Sequence, residues 1–371
     1  MKEKVSILNV VKFGGAYAAF VIGSGFATGQ EILQFFTCHG IFSIGSILIS
    51  LAIFAIFASV VMGTGYVNRD NKDFKPYQYF CGKYLGKAYD VVTPICLFLM
   101  FVVMISGAGA TLNEYYGLNV HIGSIIMVAL VLIAFLCGLE KLVDIVGLIG
   151  PVILVFAIVV GIITLTKSVG NISEMSKQIS SLNIIKSSNN WIISGILYGS
   201  YNIALGAVFV ASIAKDANSK KEAMLGGAFG GIALMVSALV MNLALLSKAT
   251  EIYALAIPTL YFAKSISNVL GVVFSIILFC GIFSTAAPGF WTVMNSVSNN
   301  ILKGNKLKTN ICAVAIGVLS LAGGVLPFQE LISIVYPYTG YLGIVLFVCV
   351  VFKLIKSKKN KDDKQKLNKV V

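Results

Sequence analysis

Three stretches of the chain set polar groups in the middle of apolar runs. Ala18 to Ile32 reads AAFVIGSGFATGQEI, with Gly23, Ser24, Gly25 and Gly29 crowded together and Gln30 and Glu31 next in line. Trp191 to Val210 reads WIISGILYGSYNIALGAVFV, with Gly199, Ser200, Asn202 and Gly206 at its centre and Tyr198 and Tyr201 beside them. Phe279 to Trp291 reads FCGIFSTAAPGFW and places Ser284 and Thr285 side by side. This is chemistry for binding. Amides freed from a helix face an anion, while freed carbonyls and neutral hydroxyls face a hard cation such as Na⁺. It is not the equipment of an enzyme: no GxSxG, HExxH or paired-Asp constellation occurs in the apolar runs. His39 and His121 fall near helix ends with no clustered carboxylates, which argues against a catalytic metal centre. The seven cysteines are scattered without a CxxC pair and read as small buried hydrophobes.

Each feature has two readings from its residues. A glycine costs about 1 kcal/mol in a helix interior relative to alanine, so the cluster at Gly23 favours unwinding; a glycine-lined packing face is the alternative. Unwound backbone survives at membrane depth only where protein or a cavity satisfies it. Ser284 and Thr285 either hold a cation or bond back to their own helix, and Pro288 frees a carbonyl near residue 284. Glu31 is the sharpest ionisable residue, a carboxylate in an apolar run. It is a carrier of a proton or cation, a gate partner for a basic side chain, or a group that reaches water. Glu114, Glu140, Asp144 and Glu330 lie near run ends and read as interfacial.

The elements that must hold these residues are membrane helices. Of 371 residues, 58% are hydrophobic and only 12% charged, and the mean hydropathy is +0.92. A soluble domain carries about 25% charged residues, so the solvent around this chain is lipid. Runs long enough to span fall near residues 11–38, 41–67, 88–114, 121–139, 142–167, 190–213, 222–247, 266–295, 309–326 and 330–353. With the N-terminus cytoplasmic, 23 of the 28 Lys and Arg fall in cytoplasmic segments. That bias fits ten spans with both termini inside. The net charge of +13 is therefore read as topology and anionic lipid, not nucleic acid. The first run continues past Gly25 and is taken as an uncleaved helix rather than a signal peptide. Residues 1–355 form one membrane domain, with corresponding halves at 11–167 and 190–353, and the Lys-rich tail 356–371 is expected to be disordered and cytoplasmic. The loop stretch Ile252 to Phe262 is too short to span and is expected to re-enter or cap.

Interruptions at corresponding places in two five-helix halves point to a transporter with inverted repeats. The broken first and sixth helices and the Ser-Thr pair in the eighth resemble the LeuT-type fold of the amino acid–polyamine–organocation superfamily. GAYAAFVIGSGFATGQEI is also similar to the YkvI-type bacterial membrane proteins. The resemblance implies that the amides of Ser24 and Gly25 meet a substrate carboxylate, with Gly23, Gly199, Ser200, Asn202 and Leu205 around it. It also implies a Na⁺ site from the carbonyls of Ala19, Ile22 and Gly281 and the hydroxyls of Ser284 and Thr285. The third helix, TPICLFLMFVVMISGAGAT, lacks the mid-helix tyrosine that amino acid symporters use, with Ser106 or Thr111 as substitutes, and Gln30-Glu31 departs from the sodium symporters. The expectation is an all-α, ten-helix secondary transporter in a bacterial plasma membrane. It would move a small polar solute, an amino acid first among them, with Na⁺ or H⁺ and no cofactor. The rival is a sensor or scaffold that keeps the fold without transport.

Overall fold

A computed structural model describes residues 5–138 and 149–367, and all regular structure in that range is helical. The readings placed on Lys2, Lys4, Glu140, Lys141 and Asp144, and the start of the run at 142, lie outside the described residues. Among the described residues, eight helices are long and apolar enough to cross a membrane, and the apolar helices α1 (Ile7–Val21) and α6 (Val120–Leu136) bring the set to ten. The others, in chain order, are α4 (Ser43–Val67), α5 (Pro76–Tyr116), α7 (Ile149–Ser168), α9 (Trp191–Ile213), α10 (Lys220–Ser247), α13 (Asn268–Asn300), α14 (Lys306–Gly323) and α15 (Phe328–Leu367). Short helices α2 (Ser24–Thr28) and α3 (Gln30–Phe35) continue the first span. Helices α8 (Ile172–Gln178), α11 (Ala249–Ile252) and α12 (Pro258–Ile266) lie in the connections.

The interior is built on close backbone approach. Helix α4 packs against α9 and α10, and α1 packs along α10. A Cβ on Gly195 would stand 2.5 Å from the Ser46 carbonyl oxygen, and one on Gly230 the same distance from that of Gly14. Across the α4–α9 contact, Ser46 and Ser50 donate to the carbonyls of Trp191 and Gly195, each at 2.7 Å. Small residues with serine bonds are how helices associate where lipid removes the hydrophobic drive.

Three expectations change. The sixth span is not broken: α9 runs without interruption from Trp191 to Ile213. Its glycines serve packing instead. Gly199 faces Ile53 on α4, where a Cβ would meet side-chain carbons at 2.9 Å, and an unbroken hydrogen-bond ladder is compatible with that contact. The third span starts at Pro76, twelve residues earlier than expected, because Gly82 (φ 77°) bends the backbone between an interfacial segment and the span proper. That left-handed-side φ is one that glycine adopts without steric cost. The Lys-rich tail continues α15 to Leu367; no Pro or Gly lies beyond Gly343 to stop it, and Lys and Gln are good helix formers. The stretch from Ile252 to Phe262 takes the capping alternative: it folds as α11 and α12 against α2 and α3.

The beginning of α1 is tied to the α9–α10 connection by Glu222. This carboxylate, at the start of α10, accepts from the Ser6 amide (2.6 Å), Asn9 Nδ2 (2.9 Å) and the Asn218 amide (2.9 Å). Its own amide donates to Ser219 Oγ at 3.1 Å, the first half of a Ser-x-x-Glu capping arrangement.

Candidate functional site

The first span is interrupted twice. At Ile22 (ψ 93°) and Gly23 (φ −96°, ψ −171°) the backbone becomes extended. The last carbonyls of α1, Ala19 among them, thereby lose their intrahelical donors. Seven residues on, Gly29 (φ 82°) turns the chain from α2 into α3. Glycine is suited to that left-handed position.

Beside this double break lies a cavity of about 980 Å³. One end is formed by Lys12, Ser212 and Thr292, all exposed; the other is formed by Gly23, Glu31, Tyr201 and Tyr336, of which Glu31 is 1% exposed. Between them the wall is largely apolar, with Ala16, Phe20, Met100, Met104, Leu205 and Phe209. The cavity thus opens on the side of the N-terminus and ends blind at the break.

The far side is covered by the α11–α12 connection. Thr259 Oγ1 donates to the Ala27 carbonyl (2.7 Å) and Gln30 Nε2 to that of Leu255 (2.5 Å). Gln329 Nε2 donates to the Ala254 carbonyl (3.2 Å), while Gln34 Nε2 donates to the Gln329 carbonyl (2.9 Å). Gln30, noted in the sequence only beside Glu31 as a departure from the sodium symporters, holds this cover in place.

Seven of the residues singled out from sequence line this cavity: Ala19, Gly23, Glu31, Asn202, Leu205, Ser284 and Thr285. Six do not. Ile22 and Ser24 are buried at the break, and Gly25 lies beneath the Glu31 side chain, whose Oε1 occupies the place a Cβ would take. Gly199 faces Ile53, and Ser200 packs backbone-to-backbone against Gly343 of α15. The Gly281 carbonyl accepts from Ser284 Oγ (2.7 Å) and Thr285 Oγ1 (3.3 Å), so both hydroxyls bond back to their own helix, the alternative reading of this pair. Ser106 donates to the Leu326 carbonyl and Thr111 to that of Gly107, so both serve packing and neither lines the cavity.

The blind end holds a cluster that the sequence reading assembled only in part. Tyr201 Oη donates to Glu31 Oε2 at 2.5 Å. The Tyr201 ring stacks on Tyr336 (4.6 Å between centroids) and meets Tyr198 edge-on at 5.6 Å. Asn202, on the cavity wall, donates through Nδ2 to the Tyr198 carbonyl at 3.1 Å. Tyr336 was missed; the run YPYTGY within an apolar helix was its available signal. Among the described residues no group of His, Cys, Asp and Glu is arranged to hold a metal ion.

No protein-family model matches the chain. It is 24% identical over 344 residues to the uncharacterized membrane protein YkvI of Bacillus subtilis (strain 168), covering 91% of this chain and 94% of YkvI. It is 25% identical to the uncharacterized protein YyaD of the same organism, covering 91% and 95%. Among solved structures it superposes on MhsT in complex with L-phenylalanine with a TM-score of 0.63 at 16% identity, covering 94% of this chain and 89% of that one. A manganese transporter of Eremococcus coleocola gives 0.51 at 14%, covering 91% and 76%. The chain is a multi-pass membrane protein with a LeuT-like fold.

Proposed function

We propose that the protein is a secondary transporter that moves a small solute by alternating access. The observation that carries this reading is the one-ended cavity, which stops at a mid-membrane helix break and is covered on its far side. Such a site reaches one face of the membrane at a time, and broken helices at the midplane are where transporters bind solute and ion. The fold shared with a manganese transporter and with a protein that binds L-phenylalanine supports it. The bias of basic residues supports placing both termini in the cytoplasm of a bacterial cell, so that the cavity faces inward.

The coupling ion in this reading is Na⁺, held by the carbonyls of Ala19 and Ile22 with the hydroxyls of Ser284 and Thr285, while the Gly281 carbonyl orients both hydroxyls. Ala19, Ser284 and Thr285 share the cavity wall. Each hydroxyl spends its hydrogen on the Gly281 carbonyl and keeps its oxygen lone pairs for a cation. Neutral oxygens of this kind suit a hard monovalent ion. The test is solute flux in proteoliposomes under imposed Na⁺ or pH gradients. Flux should follow Na⁺ and lose that dependence when Ser284→Ala and Thr285→Ala are combined. Flux driven by pH alone, or Na⁺ dependence surviving both substitutions, removes the Na⁺ site. Solute binding without flux in any gradient removes the transporter reading and leaves a sensor.

A further inference from the structure

The blind end of the cavity carries a carboxylate without a cation. Glu31 is 1% exposed; Tyr201 Oη donates to its Oε2, and the Tyr198 hydroxyl and the Phe26 amide also lie against the carboxyl. The two ion pairs among the described residues, Arg69–Asp70 and Lys248–Glu251, lie elsewhere. The basic residue on the cavity wall, Lys12, precedes the end of α1 by nine residues, about 14 Å along the helix. A buried carboxylate without a cation is costly, and the cavity gives a cation a route to it.

The position of this carboxylate matters as much as its charge. Its Oε1 lies against Gly25, where the amides of the break were expected to receive the carboxylate of an amino acid. The chain already supplies an anion at that place. A second carboxylate brought there by a solute would meet like charge in a site with little water. Beside Glu31, Tyr201 gives its hydrogen to Oε2 and retains its lone pairs, and Asn202 keeps Oδ1 after donating to the Tyr198 carbonyl; the Tyr198 hydroxyl lies against the same carboxyl. A primary ammonium brings three donors and a positive charge, which is the complement of this set. The apolar wall beyond, with Phe20 stacked on Phe209 at 4.4 Å, suits a hydrocarbon or aryl body.

We infer that Glu31, with Tyr201 and Asn202, is the recognition site for the ammonium group of a primary amine that has an apolar body and no carboxylate beside the amine. This deepens the transporter reading and rests on it only for the amine being cargo; the binding claim stands apart. Three probes separate the chemistry: 2-phenylethylamine, L-phenylalanine and 3-phenylpropionate share a ring and differ in amine and carboxylate. Each is added to the purified full-length protein, and thermal stability and calorimetric binding are recorded. The amine should raise the melting temperature and bind at least tenfold more tightly than L-phenylalanine, and 3-phenylpropionate should do neither. Glu31→Gln, which keeps an acceptor for Tyr201, should abolish amine binding. Asn202→Leu should weaken it about tenfold and covers the case in which the Glu31 variant fails to fold. Preference for L-phenylalanine, or amine binding that survives Glu31→Gln, overturns the assignment. So does a pH-dependent stability lost in Glu31→Gln with no response to any probe, which makes Glu31 a proton site. Amine binding without flux in proteoliposomes supports the assignment and removes the transporter reading. Flux of L-phenylalanine that is unaffected by Glu31→Gln keeps transport and overturns the assignment.

Discussion

Substituting Glu222 with alanine should release the start of α1. The carboxylate holds the Ser6 amide at 2.6 Å and Asn9 Nδ2 at 2.9 Å, joining segments more than two hundred residues apart, and it accepts the Asn218 amide as well. A hydrogen bond to a charged group contributes about 1.5–3 kcal/mol. Water competes at the exposed start of α1, so the Ser6 bond is taken as about 2 kcal/mol, equivalent to roughly 30-fold in an opening equilibrium. Asn9 and Asn218 lose partners in the same substitution, which makes this a lower figure for the whole tie. Amide hydrogen exchange in detergent or nanodiscs reads it directly, because the Ser6 amide is itself the donor. Exchange in the peptide covering residues 5–12 should accelerate about 30-fold in Glu222→Ala and less in Glu222→Gln, which retains one acceptor. Exchange at the Gly195–Ser46 contact should not move. Unchanged exchange at Ser6 would show that α1 is held by its packing on α10 alone, and the reasoning would fail.

Gly195→Ala should cost about 1–3 kcal/mol, since its Cβ would stand 2.5 Å from a backbone oxygen that cannot step aside. A lowered melting temperature checks it, and an unchanged one would mean that α4 and α9 separate freely. Outside the spans, the Lys248 ammonium bonded to Glu251 holds that carboxyl below the ordinary carboxylate range. The sign follows from the lowered value. The contribution of these contacts is complete above the ordinary carboxylate pKa of about 4.3 and is lost as pH falls through the depressed one. The melting-temperature difference between wild type and Glu251→Gln should therefore be present at neutral pH and vanish on acidification. A difference that persists in acid would assign the effect to packing.

The helical count, the break at Gly23 and the membrane setting were legible because each rests on local chemistry: apolar run length, glycine cost and charge bias. The continuity of α9 was not. Gly199 and Gly206 read as weak points, yet Gly199 is where α4 comes close, and sequence alone does not say which helix stands opposite. The same limit explains Ser200, whose backbone meets Gly343 instead of the cavity. Glu31 was legible as an oddity, but its partner Tyr201 lies 170 positions away and Tyr336 further still. Gly29 was counted within one glycine cluster, although its positive φ makes a second, separate turn. Glu222, by contrast, stands in a Ser-x-x-Glu pattern that any reading of helix starts could have marked.

The lid is fastened to α2, α3 and α15 by the neutral side chains of Thr259, Gln30 and Gln329, and the Glu114 carboxyl of α5 meets its Ala256 amide. The tie at the opposite end is made by a carboxylate. Charge therefore resides at both ends, because the lid itself carries the Lys248–Glu251 pair and Lys264. Salt in the bath should screen the Glu222 tie and the Lys248–Glu251 pair alike, so neither end of the first span is indifferent to ionic strength.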